Sequence, residues 1–82
     1  TNLYDLFDLP DFYDDINGIN RMYRMLGSRW HPRRNVNMYK YAAQRFKELS
    51  KAYEVLADKE QKKEYDRMLK EGVHEDKFSN VL

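Results

Sequence analysis

The residues whose types and spacing could carry chemistry lie in one short stretch, Trp30–Asn35, which reads WHPRRN. The imidazole of His31 could move a proton or bind a metal ion, and the guanidinium groups of Arg33 and Arg34 could bind carboxylates or phosphates. A metal or catalytic site needs further ligands or a paired base, but the second histidine, His74, lies far along the chain and there is no cysteine. We therefore predict a binding site in a protein that is not an enzyme, with no catalytic residue, metal or cofactor.

Charge is strongly segregated along the 82-residue chain, although its formal net charge is only +1. Residues 1–15 hold five acids and no base, residues 16–47 hold eight bases and no acid, and residues 48–82 hold nine acids and seven bases. Such segregation creates a local field, so the middle of the chain is predicted to attract an acidic partner. The alternative is a solvated basic face that complements the chain's own acidic flank.

Helical periodicity places the basic stretch between two amphipathic helices. A short first helix carries Leu3 and Leu6 and ends before Pro10, because the residue before a proline avoids the helical region. The second helix has an apolar stripe with steps of three and four residues, and Pro32 stops it at about Trp30. This stripe consists of Ile16, Ile19, Tyr23, Leu26 and Trp30.

The third helix has an apolar stripe of the same kind, and a fourth helix starts at Asp58 and closes at Gly72. The third stripe consists of Tyr39, Ala42, Phe46, Leu49, Tyr53 and Leu56. Two such stripes joined by about seven residues predict an antiparallel helical hairpin with a shallow crossing angle. The predicted fold class is therefore all-α, with a short first helix, the hairpin and a short fourth helix. The seam of the hairpin is predicted to be covered by Leu3, Leu6, Phe7 and Met68.

The pattern also predicts the core and the domain limits. Residues 2–72 are expected to form one domain and residues 73–82 a loosely ordered tail. The chain begins with Thr1 rather than Met, so we expect a piece of a longer protein whose other domains are further partners. No apolar run is long enough to cross a membrane. The absence of cysteine and of a signal peptide favours a cytoplasmic or nuclear location without fixing the compartment. The predicted core consists of Leu6, Ile19, Tyr23, Leu26, Trp30, Phe46, Leu49, Tyr53 and Leu56.

Three segments of the chain resemble a J-domain, the module named after the bacterial co-chaperone DnaJ. LYDLFDL resembles its opening Tyr-x-x-Leu-Gly-Val helix, with Phe7 and Asp8 where Leu and Gly are usual. INRMYRMLGSRWHP resembles its second helix, which ends in Tyr-His-Pro. RFKELSKAYEVLADKEQKKEYD resembles its third and fourth helices, a Phe-x-x-Ile-x-x-Ala-Tyr-x-x-Leu-x-Asp pattern followed by Tyr-Asp. The resemblance covers residues 2–72 and implies the J-domain fold.

The resemblance also implies a function. J-domains dock on an ATP-bound heat-shock chaperone of the DnaK class and stimulate its ATP hydrolysis. The basic face of the second helix and the His-Pro-Asp tripeptide after it make the family's docking surface. Carried over by position, the partner-binding residues are Arg21, Arg24, Arg29, His31, Pro32, Arg33 and Arg34.

Arg33 departs from the family pattern, because it stands where the tripeptide has Asp. The change replaces a negative charge by a positive one. Breaking a close charge pair across an interface costs roughly 2–5 kcal/mol, and a like charge adds to that cost. We therefore expect a co-chaperone module that docks through its arginines but whose stimulation of the chaperone ATPase is impaired.

Two alternative functions stay open. The chain could be a J fold that no longer serves the chaperone and acts as a scaffold or protein-interaction domain within a larger protein. It could also bind nucleic acid through the basic stretch Arg21–Lys47. That second alternative is disfavoured, because the stretch shows no aromatic platform outside the core stripes and the acidic N-terminal segment repels phosphates.

Overall fold

The computed structural model describes residues 2–72, and these form an all-α fold, as predicted. Helix α1 spans Leu3–Leu6, α2 spans Ile16–Arg29, α3 spans Tyr39–Leu56 and α4 spans Lys59–Glu71. Two short 3-10 turns, Pro32–Arg34 and Val36–Met38, fill the connection between α2 and α3, which the sequence pattern left as an irregular polar link. The predicted tail, residues 73–82, lies outside the described residues. None of the described helices is long and apolar enough to cross a membrane.

Side-chain caps set the helix ends that the sequence predicts. Asp15 precedes α2 and accepts a hydrogen bond from the backbone N–H of Asn17 at 3.0 Å. Asp58 precedes α4 and accepts from the backbone N–H of Gln61 at 2.9 Å. Gly72 ends α4 with a positive φ of 69°, a conformation that glycine adopts without steric cost. These contacts satisfy backbone groups that would otherwise lack a partner at the helix ends.

The core lies where α1 covers the seam between α2 and α3. Ile19 and Leu26 of α2 and Leu49 and Leu56 of α3 are at most 4% exposed. Helix α1 and its C-cap add four further buried side chains, and α4 adds two. The hairpin alone would leave one flank wet, and these side chains cover it. The side chains contributed by α1, its C-cap and α4 are Leu3, Tyr4, Leu6, Phe7, Tyr65 and Met68.

The hydroxyl groups of Tyr23 and Tyr53 explain why these two predicted core residues are only partly buried. The rings of Tyr23 and Tyr53 stack with centroids 4.1 Å apart. The hydroxyl of Tyr53 donates to Asn20 Oδ1 at 2.5 Å, and the hydroxyl of Tyr23 lies 3.0 Å from Ser50 Oγ. Each ring is therefore packed against the core while its hydroxyl finds a polar partner at the edge of the seam.

Both predicted apolar stripes are longer than the buried surface of the helices that carry them. Ile16, at the start of α2, is 44% exposed, and Tyr39, at the start of α3, is 56% exposed. The prediction that they lie on buried stripes is wrong, because each stands at a helix end that no other element covers. Ala52 and Val55 of α3, which the stripe omitted, are buried instead. Helix α3 packs against α1, α2 and α4, so its buried surface is wider than one stripe.

Two hydrogen bonds join α1 to α4, each between residues that are 62 positions apart in the sequence. The Tyr4 hydroxyl donates to the Asp66 carboxylate, which also accepts from Lys62 Nζ at 2.9 Å. The backbone N–H of Leu3 donates to the Tyr65 hydroxyl at 3.0 Å. Burial raises the pKa of Tyr4 well above its ordinary value, and the bond to Asp66 raises it further. Burial likewise raises the pKa of Tyr65, against the lowering effect of its bond with Leu3. Both hydroxyls are therefore held neutral.

Asp8 occupies the position where the resembled family usually has Gly, and its backbone explains that preference. Its φ is 54°, in the left-handed region that most side chains avoid. Asp is among the residues that tolerate this conformation best, since its short carboxylate bonds locally. The departure from the family pattern is therefore compatible with the same turn.

Two buried glycines of α2 should respond in opposite ways to an added methyl group. At Gly27, a Cβ atom would lie 3.7 Å from Phe46 Cε2, an ordinary contact. Because alanine favours the helix over glycine, we expect Gly27→Ala to raise the free energy of unfolding by about 0.5–1 kcal/mol.

At Gly18, a Cβ would lie 2.8 Å from ring atoms of Tyr13. We expect Gly18→Ala to lower stability by about 1 kcal/mol, because this overpacking outweighs the helix gain.

Urea unfolding followed by circular dichroism measures both effects. Repeating Gly18→Ala in a Tyr13→Leu background should shrink its penalty, since the ring that blocks the methyl group is gone. Equal stabilisation by both single changes would show that the Tyr13 ring swings away without cost.

Candidate protein-binding site

The turn after α2 is built from local hydrogen bonds. Pro32 holds His31 in an extended conformation, with φ −64° and ψ 133°, and so ends the helix. The backbone N–H of Arg33 donates to His31 Nδ1 at 3.2 Å, so neutral His31 carries its proton on Nε2. The N–H of Arg34 donates to the His31 carbonyl at 2.9 Å. The imidazole therefore caps the 3-10 turn and holds residues 31–34 in one arrangement.

Asn35, which the sequence reasoning did not single out, ties this turn to the end of α2. Its side-chain amide donates to the carbonyl of Arg29 at 2.8 Å and to the carbonyl of His31 at 2.9 Å. Both carbonyls lie at the helix C-terminus, where acceptors lack intrahelical partners. An asparagine placed a few residues beyond a helix end is a known backbone-bonding signal, and it could have indicated this role.

Aromatic side chains of α3 support the turn from the other side. The Phe46 ring, itself half-buried, meets the His31 ring edge to face, with centroids 5.7 Å apart. The Tyr41 ring meets Trp30 in the same manner at 5.4 Å, and the Arg45 guanidinium lies 5.7 Å from the Trp30 ring centroid. Trp30 is partly buried against the core. The end of α2 and the turn are thus positioned by the start of α3.

All five arginines predicted to bind a partner are exposed. Arg21, Arg24 and Arg29 are exposed because all three fall off the apolar stripe of α2, as their spacing predicts. The turn after the helix adds two further exposed arginines and an exposed His31, while Pro32 is half-buried. Within residues 2–72, no ion pair joins any of these arginines to an acid of the N-terminal segment. The arginines on the turn are Arg33 and Arg34.

This set of exposed cations defines the basic face: Arg21, Arg24, Arg29, Arg33 and Arg34. Its charges are not neutralised by the acidic flank of the chain, so the face can attract an external anion over the screening length, about 8–10 Å in physiological salt. Among the described residues, no group of three or more His, Cys, Asp or Glu side chains is placed to hold a metal ion. The arrangement is suited to protein or polyanion binding.

Exposed aromatic rings also lie beside the basic face. Tyr39 is 56% exposed and Tyr41 is 53% exposed, both at the start of α3 directly after the basic turn. The argument that this stretch shows no aromatic platform outside the core stripes therefore does not hold. Tyr39 lies on the α3 stripe but is exposed at the helix end, and Tyr41 lies off that stripe.

Comparisons with known proteins agree on one family. The family model described as the DnaJ domain matches residues 2–66. The chain is 37% identical to the human DnaJ homolog subfamily B member 2 over 73 residues, which cover 89% of this chain and 22% of that protein. It is 39% identical to the human DnaJ homolog subfamily A member 2 over 75 residues, covering 92% of this chain and 17% of that protein.

A bacterial relative gives the same result over a shorter segment. The chaperone protein DnaJ of Dichelobacter nodosus is 47% identical over 49 residues, covering 60% of this chain and 13% of that protein. The chain spans less than a quarter of the length of these relatives. No solved structure matches it. With a family model that matches most of the chain and a four-helix architecture that fits, this chain belongs to the DnaJ-domain family.

Proposed function

We propose that this chain is a J-domain co-chaperone module, formed by residues 2–72, that docks on the ATP-bound form of a DnaK-type heat-shock chaperone. The docking surface is the basic face together with His31 and Pro32. The observation that carries this proposal is the coexistence of the family's fold with five exposed arginines that have no ion-pair partner within residues 2–72. Because these arginines have no internal ion pair to give up, their charges are available to an acidic surface of a partner.

We further propose that docking is uncoupled from full ATPase stimulation. The family's Asp is replaced by Arg33, whose backbone is fixed by its bond to His31 while its side chain is exposed. A partner cation that pairs with the usual carboxylate would meet a guanidinium here. The backbone N–H of residue 33 can make its bond to His31 with either side chain, so the expected loss concerns the charge at this position.

A charge reversal on the basic face tests the docking step. We expect Arg24→Glu to weaken binding to an ATP-bound DnaK-type chaperone by about tenfold, ~1.4 kcal/mol. The reason is that the new carboxylate would repel the acidic surface of the partner that binds the basic face. Binding is measured by fluorescence anisotropy of the labelled domain at several salt concentrations. The matched control is Lys63→Glu, an equally exposed reversal on α4. Equal weakening by both changes would contradict docking through the basic face.

The replaced Asp also favours a second candidate, a J fold that acts as an interaction domain without serving the chaperone. In that case the unmodified domain binds no DnaK-type chaperone in the anisotropy experiment, whatever the salt concentration.

The exposed Tyr39 and Tyr41 rings favour a third candidate, single-stranded nucleic acid, because bases stack on such rings. A mobility-shift series across salt distinguishes it, since phosphate-driven binding falls steeply as salt rises.

A further inference from the structure

Helix α4 carries a second set of cations that the proposed docking surface does not use. It carries five basic residues, of which only two are adjacent in sequence and the others follow at steps of three or four, so that all five lie on one side of the helix. The opposite side carries the buried Tyr65 and Met68. Like charges three and four residues apart destabilise a helix by a few tenths of a kcal/mol per pair. The five basic residues are Lys59, Lys62, Lys63, Arg67 and Lys70.

These cations line an open groove between α4 and the start of α2. The groove has a volume of about 570 Å³, and its remaining lining residues are Asp14 and Asp66. A smaller cleft of about 360 Å³ adjoins it and shares Asp14, Lys59 and Lys62 with it. The floor of this cleft is apolar, formed by Ile16, Ile19, Leu56 and Ala57. The two cavities together make a surface with a basic wall and an apolar end, which we call the α2–α4 groove.

Internal ion pairs use some of the charge in the groove but not all of it. The Asp66 carboxylate is engaged by Lys62 and by the Tyr4 hydroxyl. Arg67 pairs with two glutamates of its own helix, at 2.7 and 2.5 Å. Lys59 and Lys63, both exposed, make no ion pair among the described residues. The wall therefore keeps a surplus of positive charge that faces solvent.

Ile16 gives the groove its apolar end. It is the first residue of α2 and belongs to the α2 stripe, but it is 44% exposed. An exposed branched aliphatic side chain beside free lysines suits a ligand that brings both an apolar side chain and carboxylates. The lining residues of the groove include no aromatic ring, so it offers no stacking platform for nucleobases.

We propose that the α2–α4 groove binds a short acidic segment of a partner protein, with an apolar side chain over Ile16 and carboxylates on Lys59 and Lys63. The cleft volume of about 360 Å³ is in the range of sites that enclose a small ligand, so it takes one or two side chains. The groove lies at the start of α2, whereas His31 follows its end, roughly 20 Å of helix away. The inference therefore stands independently of docking through the basic face.

The test locates the binding of a defined probe on the isotope-labelled domain. The probe is a synthetic peptide of glutamates around a central pair of leucines. We expect its addition to shift the backbone amide resonances of Ile16, Ala57, Lys59 and Lys63. A matched peptide with glutamine for glutamate and another with serine for leucine should each bind several-fold more weakly, because each removes one of the two complementary features.

Charge reversal separates this groove from the basic face. We expect the double change Lys59→Glu/Lys63→Glu to weaken the probe at least about tenfold, ~1.4 kcal/mol, and to leave binding of a DnaK-type chaperone unchanged. The control Arg21→Glu/Arg24→Glu should leave the peptide affinity unchanged. The proposal is overturned by resonance shifts confined to Arg21–Arg34, by equal affinity for the glutamine peptide, or by a single-stranded oligothymidine that binds the groove as tightly as the probe. Circular dichroism verifies that each variant stays folded.

Discussion

Replacing Arg33 by Asp is expected to convert a poorly stimulating domain into an active one. The unmodified domain should leave steady-state ATP turnover by a DnaK-type chaperone near its basal rate, and Arg33→Asp should raise that turnover. A close charge pair across an interface is worth roughly 2–5 kcal/mol. At ~1.4 kcal/mol per tenfold, Arg33→Asp should stimulate turnover at concentrations at least about thirtyfold below any at which the unmodified domain does so. Residue 33 contributes only its main-chain N–H to the bond with the His31 ring, so the turn should survive the change.

A substitution at the neighbouring residue distinguishes an effect of the carboxylate at position 33 from an effect of the domain's overall charge. Arg34→Asp changes the net charge of the domain by the same amount, one residue along the same exposed turn. If the carboxylate must stand at position 33, this control should not stimulate turnover. Equal stimulation by both variants would mean that the effect is general electrostatics. Several-fold stimulation by the unmodified domain would contradict the proposed impairment, and no response to Arg33→Asp would favour the scaffold function.

Truncating Phe7 is expected to cost most of the stability of the domain. Its ring is 0% exposed and stacks on Tyr23, with centroids 6.4 Å apart, at the point where α1 covers the hairpin seam. Phe-to-Ala changes in cores cost about 3–5 kcal/mol through lost burial and the cavity left behind. Domains of this size are stable by only several kcal/mol, so Phe7→Ala should be largely unfolded at 37 °C or close to it.

The matched control for Phe7 is Tyr39, the exposed aromatic at the start of the predicted α3 stripe. Tyr39→Ala should change the free energy of unfolding by no more than about 0.5 kcal/mol, because its ring already faces solvent. Urea unfolding followed by circular dichroism measures both variants. Similar losses at the two positions would show that the first turn of α3 is covered, and would contradict the exposure assigned to Tyr39.

The secondary structure followed from the sequence because its signals are local. Asp15, Asp58 and Gly72 stand at helix ends where their side chains or backbone freedom satisfy groups within three residues. Pro32 terminates α2 by a steric effect on the adjacent residue. The spacing of apolar residues gave the hairpin and placed the arginines on the outer side of α2, since helix geometry fixes which side chains share a face.

Long-range packing decided the features that the sequence pattern missed. Whether Ile16 or Tyr39 is buried depends on which other element reaches it, and periodicity within one helix carries no such information. The bond between Tyr4 and Asp66 joins residues 62 positions apart, so it exists only once α1 and α4 meet. The role of Asn35 depends on where the end of α2 stands relative to the turn.

By itself, the sequence determined four helices, the capping residues of α4, the outward arginines and the missing carboxylate at Arg33, because each is a matter of residue type and short-range geometry. The tertiary structure alone decided how far each buried stripe extends and which cations stay unpaired. It also created the α2–α4 groove, which joins the start of α2 to the basic side of α4. Burial and charge pairing are properties of neighbouring elements, so they were fixed only when the helices came together.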